Sequence, residues 1–229
     1  MVSAPAPGAL VAFDLDGVLY SSEPFLGEAY REAIANVNAK RPGSFPRVPS
    51  TREVLDHVGW PIPVIFARVF PDSDDEAMQL LHAETLAVIC GHVARGDGLL
   101  YPDVAETLRA LRTDGVSLAV ASNGRTAYVE TVLSTYGLAD LFIPRVTADM
   151  VGDKISVLRF YRYRLALPPE QVVMVGDRAS DVEAAQAVGC HFIGCDYGHG
   201  YRHEIESAGP LVNRFADLPG VIATILPQS

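Results

Sequence analysis

An α/β fold is what this sequence predicts: a parallel sheet wrapped by helices, with a smaller helical unit inserted behind the first strand. Two observations predict it. Short apolar runs alternate with longer amphipathic stretches over most of the chain. Across residues 21–98 that alternation stops, and the pattern becomes helical.

The strands are read from apolar runs that end at a polar residue. Leu10 to Phe13 ends at Asp14, the run 116–121 ends at Ser122, and the run 172–175 ends at Gly176 and Asp177. A fourth, His191 to Cys195, ends at Asp196. Runs this short and this apolar suit strands buried on both faces. Helical patterns follow at 104–112, 126–136, 155–165 and 179–188. Gly115, Gly137 and Gly189 lie just past three of these, where a left-handed helix-ending residue is expected. In the inserted region Leu26, Ala29, Tyr30, Ala33, Ile34 and Val37 keep helical spacing, and 77–93 is apolar enough for a helix packed on more than one side. The segment RPGSFPRVPS between these two helices is a Pro-rich break that disfavours a long helix.

Composition bounds the function. At 229 residues the chain can bury a substantial core, as one large domain or a main domain with an insert. Apolar residues make up 49% and charged residues 20%, the balance of a soluble globular protein. The opening MVSAPAPG reads as a loose tail and lacks the basic start and apolar core of a signal peptide. No apolar run approaches the length needed to cross a bilayer, so no membrane partner is expected. Cys90, Cys190 and Cys195 are scattered without metal-ligand spacing, which points to reduced cysteines in a cytoplasmic protein. A net charge of -10 argues against a nucleic-acid partner, which would need a basic face. It leaves room for a small anionic substrate, provided that a metal or a placed Lys or Arg supplies local positive charge.

In open parallel sheets ligands bind beyond the carboxyl ends of the strands, so Asp14, Ser122 and Asp177 are expected to converge on one edge. In FDLDGVLY, Asp14 and Asp16 flank one residue and Gly17 permits a sharp turn. Two such carboxylates can divide the work: Asp14 attacks phosphorus, while Asp16 protonates the leaving oxygen and later deprotonates water. That division requires environments that push their pKa values apart. In GDRASD, Asp177 and Asp181 are four residues apart and share a face of an opening helix. Four carboxylates on one edge would repel without a cation, and oxygen ligands with no His or Cys pair select magnesium over zinc. In ASNGR, Ser122 and Asn123 precede a helix whose free N–H groups make a phosphate cradle. Lys154 is one of only two lysines beside sixteen arginines, which points to a compact cation required there as such. Taken singly, each segment also reads as ordinary structure: a polar strand-end turn, an N-cap aspartate, a Ser/Asn cap, a surface lysine.

Their order and placement together resemble the four motifs of the haloacid dehalogenase (HAD) superfamily, from about Leu10 to about Leu226. The helical insert sits where that superfamily carries its type I cap. HVGWPIPVIF and DYGHGYRHEIESAG are similar to stretches of the phosphoglycolate-phosphatase-like hydrolases. The resemblance implies a Rossmann-like core over 1–20 and 97–229 with a helical cap domain over 21–96. It implies Asp14 as nucleophile and metal ligand, and Asp16 as acid/base with its main-chain carbonyl on the metal. Ser122 and Lys154 would hold the phosphoryl group, with Asn123 assisting through its backbone. Asp177 would bind Mg2+ directly, and Asp181 directly or through water. Gly59 and Trp60 are the candidates for the cap's specificity loop; for Trp60 a place in the cap core is an equal reading. The implied activity is Mg2+-dependent hydrolysis of a small phosphorylated metabolite, by a monomer or a homodimer. The chain departs from many relatives at Ser21, where they have aspartate, and at Ile155, where they have proline after the lysine.

Four other readings stand beside this one. A sugar phosphomutase shares the aspartate pair, and DLDGV with Val18 occurs among such enzymes. A dehalogenase is disfavoured by the presence of Asp16. A phosphonatase needs a cap lysine, for which Lys40 is the candidate. A non-catalytic metabolite-binding protein could keep the same fold.

Overall fold

The computed structural model describes residues 8–60 and 62–226. All but Gly8 of the opening segment expected as a loose tail lies outside them. In chain order the core begins with β1 (Leu10–Phe13), and β2 (Tyr20–Ser21) leads out of it. Four helices follow: α1 (Glu23–Lys40), α2 (Thr51–Leu55), α3 (Ile62–Val69) and α4 (Asp75–Arg95). β3 (Leu99–Leu100) returns antiparallel to β2, so this two-residue pair forms the neck of the helical unit. The core then continues through α5 (Val104–Thr113), β4 (Ser117–Val120), α6 (Thr126–Thr135), α7 (Ala148–Val151) and α8 (Lys154–Arg164). It closes with β5 (Val172–Gly176), α9 (Ala179–Val188), β6 (His191–Cys195), α10 (Arg202–Ile205), β7 (Leu211–Val212) and α11 (Leu218–Ile225).

The main sheet is parallel in the order β4-β1-β5-β6-β7, with Leu10 in register with both Ser117 and Val172. Central strands must be apolar on both faces, and the period of two decides which residue serves which face. Val11 and Phe13 of β1, with Val173 and Val175 of β5, enter one buried cluster. Leu10 and Ala12, with Val172 and Met174, enter the other. The chain leaves β1 to one side for β4 and crosses to the other for β5. The crevice of such a sheet therefore opens where β1 and β5 end, at Asp14 and Asp177.

The helix ends follow local chemistry. Gly115, Gly137 and Gly189 all take positive φ beyond their helices. Asp153 accepts from Ser156 N and caps α8, so Lys154 is its first residue without help from proline. The Pro-rich break carries no long helix, but it ends in a capping box at Ser50 and Glu53 that starts the short α2. Neither α2 nor α3 is apparent as a separate element from apolar spacing, and nor is the two-residue strand β7. In the helical unit α1 packs on α4, and α4 packs on α6 of the core. One apolar cluster runs without a break from Leu26, Ile34 and Phe66 into Val11 and Phe13 of the sheet. None of the described helices is long and apolar enough to cross a membrane.

Candidate active site

The loop after β1 places its two carboxylates in different surroundings. Asp14 is buried; its Oδ1 accepts from Leu15 N at 2.8 Å and its Oδ2 lies 3.0 Å from Lys154 Nζ. Asp16 is half-buried and turns the other way, where Tyr128 Oη at 2.7 Å and Ser22 Oγ at 3.1 Å both donate to its Oδ1. Burial pushes the Asp16 carboxyl up to about 7, opposed by the Tyr128 hydrogen bond and reinforced by the charge of Asp14.

The loop after β5 builds a second layer. Asp177 and Asp181 are buried to 1% and 0% exposure, so every lone pair must be accounted for within the protein or by a ligand. Asp181 is held on both oxygens: Oδ1 accepts from Lys154 Nζ, and Oδ2 accepts from Asp177 N and Arg178 N. Asp177 Oδ2 accepts from His199 N at 2.7 Å and Gly200 N at 2.9 Å, whereas its Oδ1 is buried and accepts nothing. Burial, then the charges of Asp181 and Asp14, push the Asp177 carboxyl well above its ordinary value. Burial alone would depress Lys154, but Asp14 and Asp181 outweigh it and hold the ammonium above its usual range. Gly17, at φ +83°, is needed for this closeness, since a Cβ there would overlap the Asp177 carboxylate.

Asp14, Asp177 and Asp181 each offer an oxygen within 4.8 Å of the others. Lys154 pairs with two of these three buried carboxylates, and the third, Asp177, keeps a desolvated oxygen without a donor. That set fits a hard divalent cation, which would take the orphaned lone pairs and offset the surplus negative charge. The Asp16 side chain is not in this group.

Above the carboxylates lies a cavity of about 80 Å³ between core and helical unit. Asp14, Asp16, Ser122 and Asn123 line it from the core, and Gly59 and Trp60 line it from the segment joining α2 to α3. Ser122 is buried, and its Oγ accepts from Gly124 N at 3.0 Å. The Asn123 side chain donates to Gly59 O at 2.9 Å, so it spans the two parts instead of facing the cavity alone. Trp60 is half-buried, with the Arg68 guanidinium 4.9 Å from its ring centroid. Lys154 does not line the cavity but stands behind Asp14, and Lys40 lies elsewhere, paired with Glu84. A cap lysine positioned for Schiff-base chemistry is thus absent among the described residues.

Four residues at or beside the site escape sequence reasoning. Tyr128, Ser22 and Thr85 sit on or beside helices where their spacing marks only a buried face. Arg178 bridges core to helical unit through Leu55 O at 3.0 Å. The one available signal for Arg178 is its place inside GDRASD, between two carboxylates.

A family model described as haloacid dehalogenase-like hydrolase matches residues 9–189. The chain is 31% identical over 216 residues to the phosphoglycolate phosphatase of Haemophilus influenzae (strain 86-028NP), spanning 88% of this chain and 91% of that one. It is 32% identical over 213 residues to the phosphoglycolate phosphatase of Vibrio vulnificus (strain YJ016), spanning 88% and 89%. The crystal structure of a predicted phosphoglycolate phosphatase from Haemophilus somnus 129pt matches the fold with a TM-score of 0.79 and 27% identity, over 92% of this chain and 96% of that one.

Proposed function

The chain belongs to the haloacid dehalogenase-like hydrolases and is a phosphatase, and we propose that it hydrolyses a small phosphate monoester through an aspartyl-phosphate on Asp14. The observation that carries the mechanism is the contrast between two carboxylates on one loop. Asp14 faces a lysine, while burial holds Asp16 near pKa 7, able to give and take a proton near neutrality.

In the first step an Asp14 oxygen bonds to phosphorus as the ester oxygen departs, and the proton of Asp16 goes to that oxygen. In the second step water attacks the same phosphorus and returns a proton to Asp16; inorganic phosphate leaves and the Asp14 carboxylate is restored. Lys154 holds Asp14 in place and offers positive charge behind it, and Ser122 with the backbone N–H groups beyond it receives the phosphoryl oxygens. Asp14, the main-chain carbonyl of Asp16, and Asp177 would hold Mg2+. Asp181, with both oxygens engaged by Lys154 and backbone N–H groups, would orient Lys154 and the loop and complete the ion's site, directly or through water. When bound, the ion offsets the charge of the transferring phosphoryl group. Residues 21–96 act as a cap over a core of 1–20 and 97–229, excluding bulk water from the first step.

The test is inorganic-phosphate release from a panel of small monophosphate esters with magnesium, with EDTA, and with Asp14→Asn. Turnover that needs magnesium and falls by about 10⁴-fold or more in the variant is expected. Activity that survives Asp14→Asn would sink the covalent route.

A further inference from the structure

The roof of the cavity differs in chemistry from its floor. Leu26, Val58, Trp60, Ile65, Leu86 and Ile89 form its wall, and among the described lining residues there is no Lys, Arg or His. Three nearby cations are engaged elsewhere, and Arg125, beside Gly124 at the start of α6, is exposed and does not line the cavity. Lys154 is paired with Asp14 and Asp181. Arg178 packs under Gly59, bonded to Leu55 O and 3.6 Å from Glu204. Arg68 is exposed and stacks on the Trp60 ring. Two hydroxyls interrupt the apolar wall, those of Tyr30 and Thr85. Thr85 is 1% exposed, and its hydroxyl has no hydrogen-bond partner. It lacks even the bond to the carbonyl four residues back that helical threonines commonly make.

We propose, resting on the phosphatase reading above, that the leaving group is a small uncharged alcohol that carries a further hydroxyl for Thr85, and not a carboxylate such as glycolate. A second anion in this cavity would lie beside Asp14 and Asp16 with no cationic side chain among the described lining residues to meet it, and an unpaired buried charge is strongly disfavoured. A neutral chain buries its methylenes against the wall, and its hydroxyl satisfies the orphaned Thr85 oxygen. The cavity of about 80 Å³ restricts the alcohol to a few carbons. The same wall rejects a sugar bisphosphate, whose second phosphate would meet no positive charge. A preference of this kind would set the chain apart from the phosphoglycolate phosphatases of Haemophilus influenzae and Vibrio vulnificus to which it is similar.

The experiment compares kcat/KM for 2-phosphoglycolate, 2-hydroxyethyl phosphate and ethyl phosphate, three esters of similar size with a charged, a hydroxylated and an apolar tail. The hydroxyethyl ester is expected to exceed phosphoglycolate by at least about tenfold. Equal or better turnover of phosphoglycolate overturns the inference while leaving the phosphatase chemistry intact. If Asp14→Asn left phosphate release from all three untouched, it is the proposed chemistry that would fall. Thr85→Val, which preserves shape, is expected to lower the hydroxyethyl-to-ethyl ratio several-fold. An unchanged ratio removes Thr85 from the recognition of the alcohol.

Discussion

The floor and the roof of the cavity solve opposite problems. The floor concentrates buried charge: Asp14, Asp177 and Asp181 within hydrogen-bonding distance of backbone N–H groups or Lys154. The roof is built from the same apolar side chains that hold the helical unit to the core, in one continuous cluster. Chemistry needs a few atoms at fixed points, so the floor is over-determined by partners. Selection of the alcohol needs a surface, and a surface can be assembled from any residues that also pack.

The sharpest way to break that comparison is to remove the lysine that pairs with two of the floor's carboxylates. Lys154→Met leaves two buried carboxylates without their partner, and loss of one member of a buried ion pair costs about 3–5 kcal/mol. Urea unfolding of the metal-free variant near neutral pH should show a loss of this size, with turnover reduced by about 10³-fold. An unchanged midpoint would mean that the floor is not held by charge pairing.

The unequal legibility of the two regions has the same physical origin. β1, β4 and β5 announce themselves because a strand buried on both faces must be apolar and must then end in polar residues. Asp14, Ser122 and Asp177 stand at those ends, and strand parallelism brings them to one edge. Lys154 is visible only by rarity and order, since nothing local links it to a partner 27 residues away at Asp181. Tyr128 and Thr85 are hidden because a helical position facing a cavity has the same spacing as one facing the core. Likewise α2 and α3 are too short for a period to show. The links from Arg178 and Asn123 to Leu55 and Gly59 depend on backbone carbonyls, which no side-chain pattern reveals.

Asp177 sharpens the comparison from the stability side. Its carboxyl is raised by burial and by Asp181 and Asp14, and Asp16 is raised to about 7, both from 3.8. A raised carboxyl pKa contributes stability that is fully present below about 3.8 and is lost as pH rises through the folded value, because the unfolded chain sheds the proton first. The metal-free protein should therefore melt at lower temperature at pH 8 than at pH 5, and magnesium should reverse the loss at pH 8. Asp177→Asn can still accept from His199 N and Gly200 N while removing the charge. It should raise the metal-free melting temperature by several degrees and abolish the gain from magnesium. A lower melting temperature in calorimetry would show that the carboxylate is not a liability to the fold.

A smaller effect is expected at Tyr128. Its hydroxyl donates to Asp16 and so lowers that carboxyl against the dominant effect of burial. Tyr128→Phe should move the alkaline limb of the kcat/KM profile upward by about half a unit to one unit, the equivalent of one hydrogen bond. A limb that stays in place would detach Asp16 from the proton transfer that defines it.

The smallest effect tests the seam between floor and roof. Asn123 lines the cavity from the core, yet its amide donates to Gly59 O in the segment that carries Trp60. Asn123→Ala removes that one bond and keeps the backbone N–H groups beyond Ser122, so the carboxylates and Lys154 are undisturbed. One hydrogen bond is worth about 0.5–1.5 kcal/mol, which corresponds to a rise of about two- to tenfold in KM. If the roof only selects and covers, kcat should change far less than KM. A fall in kcat as large as the rise in KM would instead show that closing the roof helps to assemble the floor, and that the two regions do not divide their work as their chemistry suggests.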